Sequence, residues 1–546
     1  MNDSLQKIKS EKWLKHYESG VSAHLDYPSL TLSEVLHQTT EKSPDHAAFV
    51  FSDQQWSYRE FNDLASRMAN ALIRLGISLG DRVGIYLPNS PQFVVGYYGI
   101  LRAGGIVVPI NPMLSGDDLS FIIKDSGLKI IITCSESLPN LEKIKIDDLI
   151  IITSEINDLL SPESKLPSSS IALSLEKLIY EAPVTDPQVK INPDSIANLQ
   201  YTGGTTGRSK GAILTHANLL ANAIQFRNWF KNVYKDGEGR FVGVIPLFHI
   251  YGLTTSMNGP IISSSTILLM PRFDIKELME LIQKYRPNLF MGVPAMYGAI
   301  AMRNGDEYDL SSIEACVSGS SPLPAAIQDG FEKITGGKLV EGYGLSEASP
   351  IVVVNPIYGM VKPGSIGIPI ADTHIKIIDP ENGEEINEPG RIGEMVVKGP
   401  QVMQGYWQNP EETNLVLKDG WLHTGDLVYM DEDGYLFVAD RLKDMIIMGG
   451  EKIYPREIED FLYTHPAVKE VAVVGIPHSL RGEVPKAYVV LKEGSNATIK
   501  DLRRYCIAHL SKFKIPKFEI IESLPRNLVG KVLRRLLREK QIKEFA

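Results

Sequence analysis

The chain has 546 residues and a formal charge of −10, with 43% hydrophobic and 22% charged residues. That length exceeds one ordinary core, so a large body of two or more lobes plus a smaller domain is expected, and the composition excludes a disordered or fibrous protein. Net acidity argues against nucleic acid as the main partner.

The N-terminal stretch Met1–Glu18 mixes Lys, Glu and Asp without an apolar core, so it does not read as a secretory signal and the expected compartment is the cytoplasm. Arg82–Pro88 reads as a buried strand, Gln92–Ala103 as a helix and Ile106–Ile110 as another buried strand, which together make a βαβ unit. The apolar stretch Phe93–Ile110 is cut by glycines and a proline, so no integral membrane segment is predicted; peripheral membrane contact stays open. Short β-branched strands recur at Lys129–Thr133 and Asn288–Met291, and the pattern points to an α/β body with doubly wound sheets. Cys134, Cys316 and Cys506 form no CxxC pair and no disulfide framework.

Tyr429–Leu442 reads as a hairpin turning at Asp433-Gly434, after which the rhythm changes. A helix is expected over Glu457–Thr464, strands over Val468–Ile476 and Lys486–Lys492, and a helix over Lys500–Leu510. The division expected is therefore a body over 1–439 and a small α+β domain over 440–546. From Asp440 onward 21 Lys and Arg face 14 Asp and Glu, a local excess suited to a polyanionic ligand and equally to a plain solvated surface.

The sharpest local signal is Tyr201–Gly211, YTGGTTGRSKG. Glycines let backbone N–H groups approach an anion, hydroxyls donate further hydrogen bonds, and Lys210 adds charge. The loop lies between apolar Ile196–Leu199 and Ala212–Leu214, which pins it between strands. A kinase-like P-loop needs Lys followed by Ser or Thr after the second glycine; here Arg208 follows Gly207 and Gly211 follows Lys210, so that motif fails, as does the dinucleotide fingerprint.

Further motifs lie downstream: IPLFHIYGL over Ile245–Leu253, EGYGLSEASP over Glu341–Pro350, GEMVVKGPQVMQGYW over Gly393–Trp407, HTGD over His423–Asp426, DRLKDMIIMGGEKIYPREIE over Asp440–Glu459 and PRNLVGKVLRR over Pro525–Arg535. Together these resemble the acyl-adenylate-forming (AMP-binding) superfamily, over about Leu32 to Leu536, and within it the fatty acyl-CoA synthetases. The resemblance implies a β-barrel-like lobe within the body and a mobile C-terminal domain. It also implies a ligase that activates a carboxylic acid with ATP and passes the acyl group to coenzyme A, aided by Mg²⁺.

The resemblance assigns roles residue by residue. Thr202, Gly203, Gly204, Thr205, Thr206, Gly207 and Lys210 would hold the β- and γ-phosphates, with Thr202 and Glu347 at the Mg²⁺ site. Lys531 would bridge the carboxylate and the α-phosphate. Gly319, Gly342, Tyr343 and Ser346 would line the nucleotide site, Tyr343 packing on adenine; Ser346 stands where the family usually has threonine. Asp426 would accept from the ribose hydroxyls, assisted by Arg441. Lys443 matches the hinge about which the small domain turns, and Gly450 the pantetheine tunnel. His249 would sit near the acyl and thiol entrance, and Ile250, Tyr251, Gly292, Val293, Gly319 and Ser320 would form the acyl pocket. Their small and apolar side chains suit a medium- to long-chain fatty acid. The residues leave open an acyl-AMP ligase that loads a carrier protein, an aryl-acid ligase, a non-catalytic nucleotide or acyl binder, and the oligomeric state.

Overall fold

The computed structural model describes residues 11–144, 148–158, 160, 172–202, 209–303, 307–449, 451–478, 480–526 and 532–545. The described residues form two compact units, one from the chain up to Thr202, 209–374 and 398–422, the other from 375–397 and 423–545.

Two sheets dominate the first unit. In the seven-stranded sheet the neighbours run Ala172–Ser174, Ile150–Ser154, Ile130–Cys134, Arg82–Tyr86, Ile106–Pro109, Ile196–Thr202 and Lys210–Thr215, parallel except for the last pair. Strands covered on both faces have no polar face to alternate with, which explains the unbroken apolar runs in the sequence. The nine-stranded sheet runs Ile368–Pro369, Ile351–Val354, Lys338–Gly344, Ala315–Ser318, Leu289–Gly292, Arg240–Gly243, Thr266–Leu269, Ala47–Phe51 and Gln54–Ser57. From Ala47–Phe51 through Lys338–Gly344 it is parallel. After Arg240–Gly243 the chain adds Thr266–Leu269 on one side and Leu289–Gly292 on the other, so the strand order reverses there. Such a switch opens a crevice outside the carboxyl ends of the strands.

Helix Pro91–Arg102 is buried along its whole length, as a helix that is apolar all round must be. Ser90 caps it by accepting from the Phe93 N–H, and Pro91 opens it where no N–H is needed. Just before it, Asn89 is 2% exposed and works on the other sheet: Nδ2 donates to the Gly243 and Ile245 carbonyls, and Oδ1 accepts from the Leu247 N–H. Gln200 Nε2 donates to the Phe248 carbonyl at 3.0 Å. Two amide side chains, Asn89 in the loop after strand Arg82–Tyr86 and Gln200 in strand Ile196–Thr202, thus fix the Val244–His249 segment at the switch point of the nine-stranded sheet.

The second unit contains a sheet with strands His374–Ile378, Gly393–Lys398, Trp421–Met430 and Leu436–Arg441, the last two an antiparallel hairpin paired from Met430 with Leu436 to Asp426 with Arg441, with a register shift between Leu427 and Val428. Beyond it a second sheet pairs Glu451–Ile453, Ile446–Met448, Gly482–Leu491 and Val468–His478, with Lys517–Ile520 parallel to Gly482–Leu491. Helices Pro455–Tyr463, Ile499–His509 and Arg534–Phe545 accompany it, and Ile458, Leu462, Val473, Tyr488, Leu502, Cys506 and Leu537 make an α+β core. Helix Pro455–Tyr463 starts two residues earlier than its sequence pattern predicts, because Pro455 suits a first turn. The three cysteines are buried and unpaired. Among the described residues no helix is long and apolar enough to cross a membrane.

Removing the Asn89 amide strands a buried N–H and a carbonyl in the Val244–His249 segment. Asn89→Ala is expected to lower the unfolding free energy of the first unit by about 2 kcal/mol, read as a shift of its urea midpoint; an unchanged midpoint would show that the segment is held by other contacts.

Candidate functional site

In the first unit, the residues assigned to the acyl pocket and the nucleotide gather at the carboxyl ends of adjacent parallel strands. Gly292 ends one strand and Val293 follows it, Gly319 and Ser320 follow Ala315–Ser318, and Gly342 and Tyr343 close Lys338–Gly344. Leu289–Gly292 pairs with Ala315–Ser318, and that strand with Lys338–Gly344. Ser320 takes a positive φ of 69°, which turns the chain sharply off its strand.

Two tyrosines brace these strand ends. Tyr251 Oη donates to the Val317 carbonyl at 2.8 Å, and a Cβ on Gly319 would meet the Tyr251 ring at 3.3 Å. Tyr297 Oη donates to the Phe290 and Val317 carbonyls at 2.8 and 2.9 Å, and a Cβ on Gly292 would meet its ring at 2.8 Å. A side chain at Gly292 would therefore force the Tyr297 ring to shift, and one at Gly319 would need the Tyr251 ring to give by a few tenths of an ångström. Burial holds both phenols well above the usual tyrosine range, so they stay protonated donors. Ile250 and Tyr251 open a short helix capped by His249, whose Nδ1 accepts from the Tyr251 N–H at 3.2 Å. This hydrogen bond fixes the ring's orientation and requires Nδ1 to be unprotonated.

The phosphate-type loop joins antiparallel strands with Thr202 opposite Lys210. Gly203, Gly204, Thr205, Thr206 and Gly207 lie outside the described residues, as do Gly450 and Lys531. The Lys210 strand is flanked on its other side by the Gly405-Tyr406-Trp407 segment: Ile213 N–H donates to the Gly405 carbonyl at 2.9 Å, and Trp407 N–H to the Gly211 carbonyl at 2.8 Å. Gly211 fits because its missing Cβ leaves room for the Tyr201 ring, which would stand 3.1 Å away, and for Trp407.

Four charged or polar side chains meet at this edge. The Lys210 ammonium is ion-paired with Glu412 and lies 5.3 Å above the Tyr406 ring. Tyr406 Oη donates to Glu347 Oε1 at 2.7 Å. Glu347 lies on the single turn Ser346–Ala348, which packs against the Lys210 strand, and its carbonyl accepts from the Met403 N–H at 2.8 Å. Neither Tyr406 nor Glu412 is assigned a role by the sequence reading, although Tyr406 stands in one of its motifs. Among the described residues no group of three or more His, Cys, Asp or Glu gathers as a metal cluster.

In the second unit Asp426 and Arg441 face each other across the hairpin, with Arg441 Nε 3.1 Å from Asp426 Oδ1. Asp426 is 5% exposed, and Gly425 before it has φ 68°, a conformation that favours glycine. Glu394 shapes the approach: its carboxylate accepts from the Gly425 N–H at 3.1 Å and lies 3.0 Å from His423 Nδ1.

Lys443 lies in the turn that follows, between two buried carboxylates. Asp440 accepts from the Arg441 and Arg456 N–H groups, while Asp444 is paired with Arg538 at 3.2 Å. Glu459 accepts from Arg534 Nη2 at 2.7 and 2.6 Å and from the Val473 N–H at 2.7 Å. The turn is thereby tied to the helix that begins at Arg534. Burial pushes the Asp440 carboxyl up to about 6, against the pull of those N–H donors.

That shift has a definite sign. The folded pKa of Asp440 exceeds the unfolded value, so its ionisation costs stability as pH rises from about 4 to about 6, by about 3 kcal/mol. Asp440→Asn carries no such charge. The unfolding free energy of the wild type relative to this variant is expected to fall across that window; a constant difference would show that Asp440 ionises normally.

An AMP-binding enzyme family model matches residues 36–407, and an AMP-binding enzyme C-terminal domain model matches residues 457–531. The long-chain-fatty-acid–CoA ligase of Bacillus subtilis (strain 168) is 43% identical, covering 98% of this chain and 99% of its own. ATP-bound MatB from Rhodopseudomonas palustris is similar in structure, with a TM-score of 0.85 and 29% identity over 95% of this chain and 100% of its own. The anthranilate CoA ligase AuaEII in complex with anthranoyl-AMP has a TM-score of 0.85 and 28% identity, over 95% and 99%. The chain belongs to the AMP-binding enzyme family.

Proposed function

We propose that this chain is an ATP-dependent acid–CoA ligase acting on medium- to long-chain fatty acids. The observation that carries the reading is near full-length similarity, at 43% identity, to a long-chain-fatty-acid–CoA ligase. In the first half-reaction a carboxylate oxygen attacks the α-phosphorus of ATP, pyrophosphate leaves and an acyl-AMP remains. In the second the thiol sulfur of coenzyme A attacks the acyl carbonyl carbon and AMP leaves.

The first step brings two anions together, so it needs cations and fixed dipoles. Thr202, Lys210 and the intervening loop bind the β- and γ-phosphates, and Lys531 bridges the carboxylate and the α-phosphate. Gly319, Gly342, Tyr343 and Ser346 line the adenosine site, and Asp426 with Arg441 holds the ribose. The hard oxygen donors of Thr202 and Glu347 fit Mg²⁺, which takes one or two carboxylates together with substrate phosphates and needs no protein cage. When bound, Mg²⁺ neutralises phosphate charge. Glu347 suits that place because its Oε1 is already oriented by Tyr406. His249 and Gly450 lie on the thiol side, and Lys443 is the hinge of a mobile domain over 440–546 set against a body over 1–439. Dependence on ATP and coenzyme A supports a cytoplasmic location.

Substrate choice rests on the pocket. Ile250, Tyr251 and Val293 are buried and apolar, Gly292, Gly319 and Ser320 are small, and none of the six is a cation for a second carboxylate. Each methylene buried there adds about 0.8 kcal/mol, or about fourfold in kcat/KM. In a panel from acetate to palmitate, with coenzyme A as acceptor and AMP release as readout, the specificity constant should climb with chain length until the pocket is full. Acetate or an aromatic acid at the top of the panel would overturn the fatty-acid assignment.

The lysine assignment is tested by separating the half-reactions. Lys531→Ala should lose acid-dependent pyrophosphate exchange by about a thousandfold while still forming thioester from supplied acyl-AMP. Equal loss of both would remove Lys531 from the first step.

A further inference from the structure

The phosphate site of the first unit contains an acid and a base that attract each other, Glu347 and Lys210. A single side chain touches both. Tyr406 holds Glu347 through its hydroxyl at 2.7 Å and lies under the Lys210 ammonium with its ring at 5.3 Å. Glu412, on the helix Pro410–Val416, takes the direct ion pair with Lys210.

The tyrosine is itself fixed from three directions. Its backbone forms an antiparallel bridge with Ala212, its N–H donates to Thr413 Oγ1 at 2.9 Å, and the preceding Gly405 carbonyl accepts from the Ile213 N–H. Gly405 has φ 145°, and a Cβ there would meet Thr413 Cγ2 at 2.7 Å, so the segment is seated closely against the helix that carries Glu412. A tyrosine hydroxyl carries its proton at neutral pH, so it faces Glu347 as a neutral donor. A neutral, rigid donor is what a metal-binding carboxylate needs behind it, because such a partner orients the acid without cancelling its charge.

We propose that Tyr406 is a positioning residue for the phosphate site, holding Glu347 in its metal-binding orientation, with Glu412 as the resting partner of Lys210. The inference rests on the assignment of Glu347 to Mg²⁺ made above. It separates two kinds of ATP binding: binding that depends on metal requires an oriented Glu347, whereas binding of metal-free ATP does not.

The test is titration calorimetry of ATP into the full-length protein, with excess Mg²⁺ and with EDTA, for the wild type, Tyr406→Phe and Glu347→Gln, each checked by thermal melting. Tyr406→Phe keeps the ring under Lys210 and removes only the hydroxyl. The ratio of the two dissociation constants, metal-free over Mg²⁺-bound, is expected to fall about tenfold in Tyr406→Phe, with metal-free ATP binding unchanged, and further in Glu347→Gln. A ratio lost in Glu347→Gln but intact in Tyr406→Phe overturns the positioning role alone. A ratio intact in Glu347→Gln overturns the metal assignment and the inference with it. Equal weakening of both kinds of binding in Tyr406→Phe would reduce Tyr406 to a packing residue and also overturn it.

Discussion

The antiparallel pairing of Ile196–Thr202 with Lys210–Thr215 is the constraint on which the first unit's chemistry depends. It turns the end of a parallel sheet into a two-sided edge. One side sets Thr202 opposite Lys210 and closes the base of the glycine-rich loop. The other offers free ladder groups that the Gly405–Trp407 segment takes up, and this segment carries Tyr406 to Glu347. A strand running parallel would place Lys210 at the far end of the ladder, and none of these contacts would form.

Much of this was legible in the chain, and the parts that were not share a physical reason. Apolar runs with no polar face announced strands such as Arg82–Tyr86 and Ile130–Cys134, because buried parallel strands have nothing to alternate with. The glycine-rich loop announced itself because anion binding by backbone N–H groups restricts residue type locally. Its strands reach further than their apolar cores, to Thr202 and from Lys210, since ladder pairing continues past the residues that need burial. By contrast, Asn89 satisfying Leu247, Tyr406 meeting Glu347, and Arg534 meeting Glu459 join positions tens to more than a hundred residues apart. An asparagine, a tyrosine or an arginine carries no local mark of such a partner. Similarity of motifs located the segments, and only the fold shows which side chains meet.

The second unit solves a related problem with charge. Asp440, Asp444 and Glu459 are all buried around one turn, and buried carboxylates are costly unless paired and hydrogen-bonded. Backbone N–H groups serve Asp440, Arg538 serves Asp444, and Arg534 serves Glu459. Removing one partner from such a set leaves a charge without compensation, so the turn and the last helix are held together as one piece.

The contact of Tyr251 with Gly319, and of Tyr297 with Gly292, has a consequence for how this sequence can drift. Each ring fills the volume that a β-carbon on its glycine would claim, at 3.3 and 2.8 Å. A methyl added at Gly292 is tolerated only after position 297 has lost ring volume, and a smaller residue at 297 leaves a void until the glycine gains a side chain. Both one-step routes pass through a less stable intermediate. Descendants of this chain are therefore expected to change Gly292 and Tyr297 together, as coupled substitutions five residues apart, while the looser contact of Tyr251 with Gly319 couples its two positions less tightly.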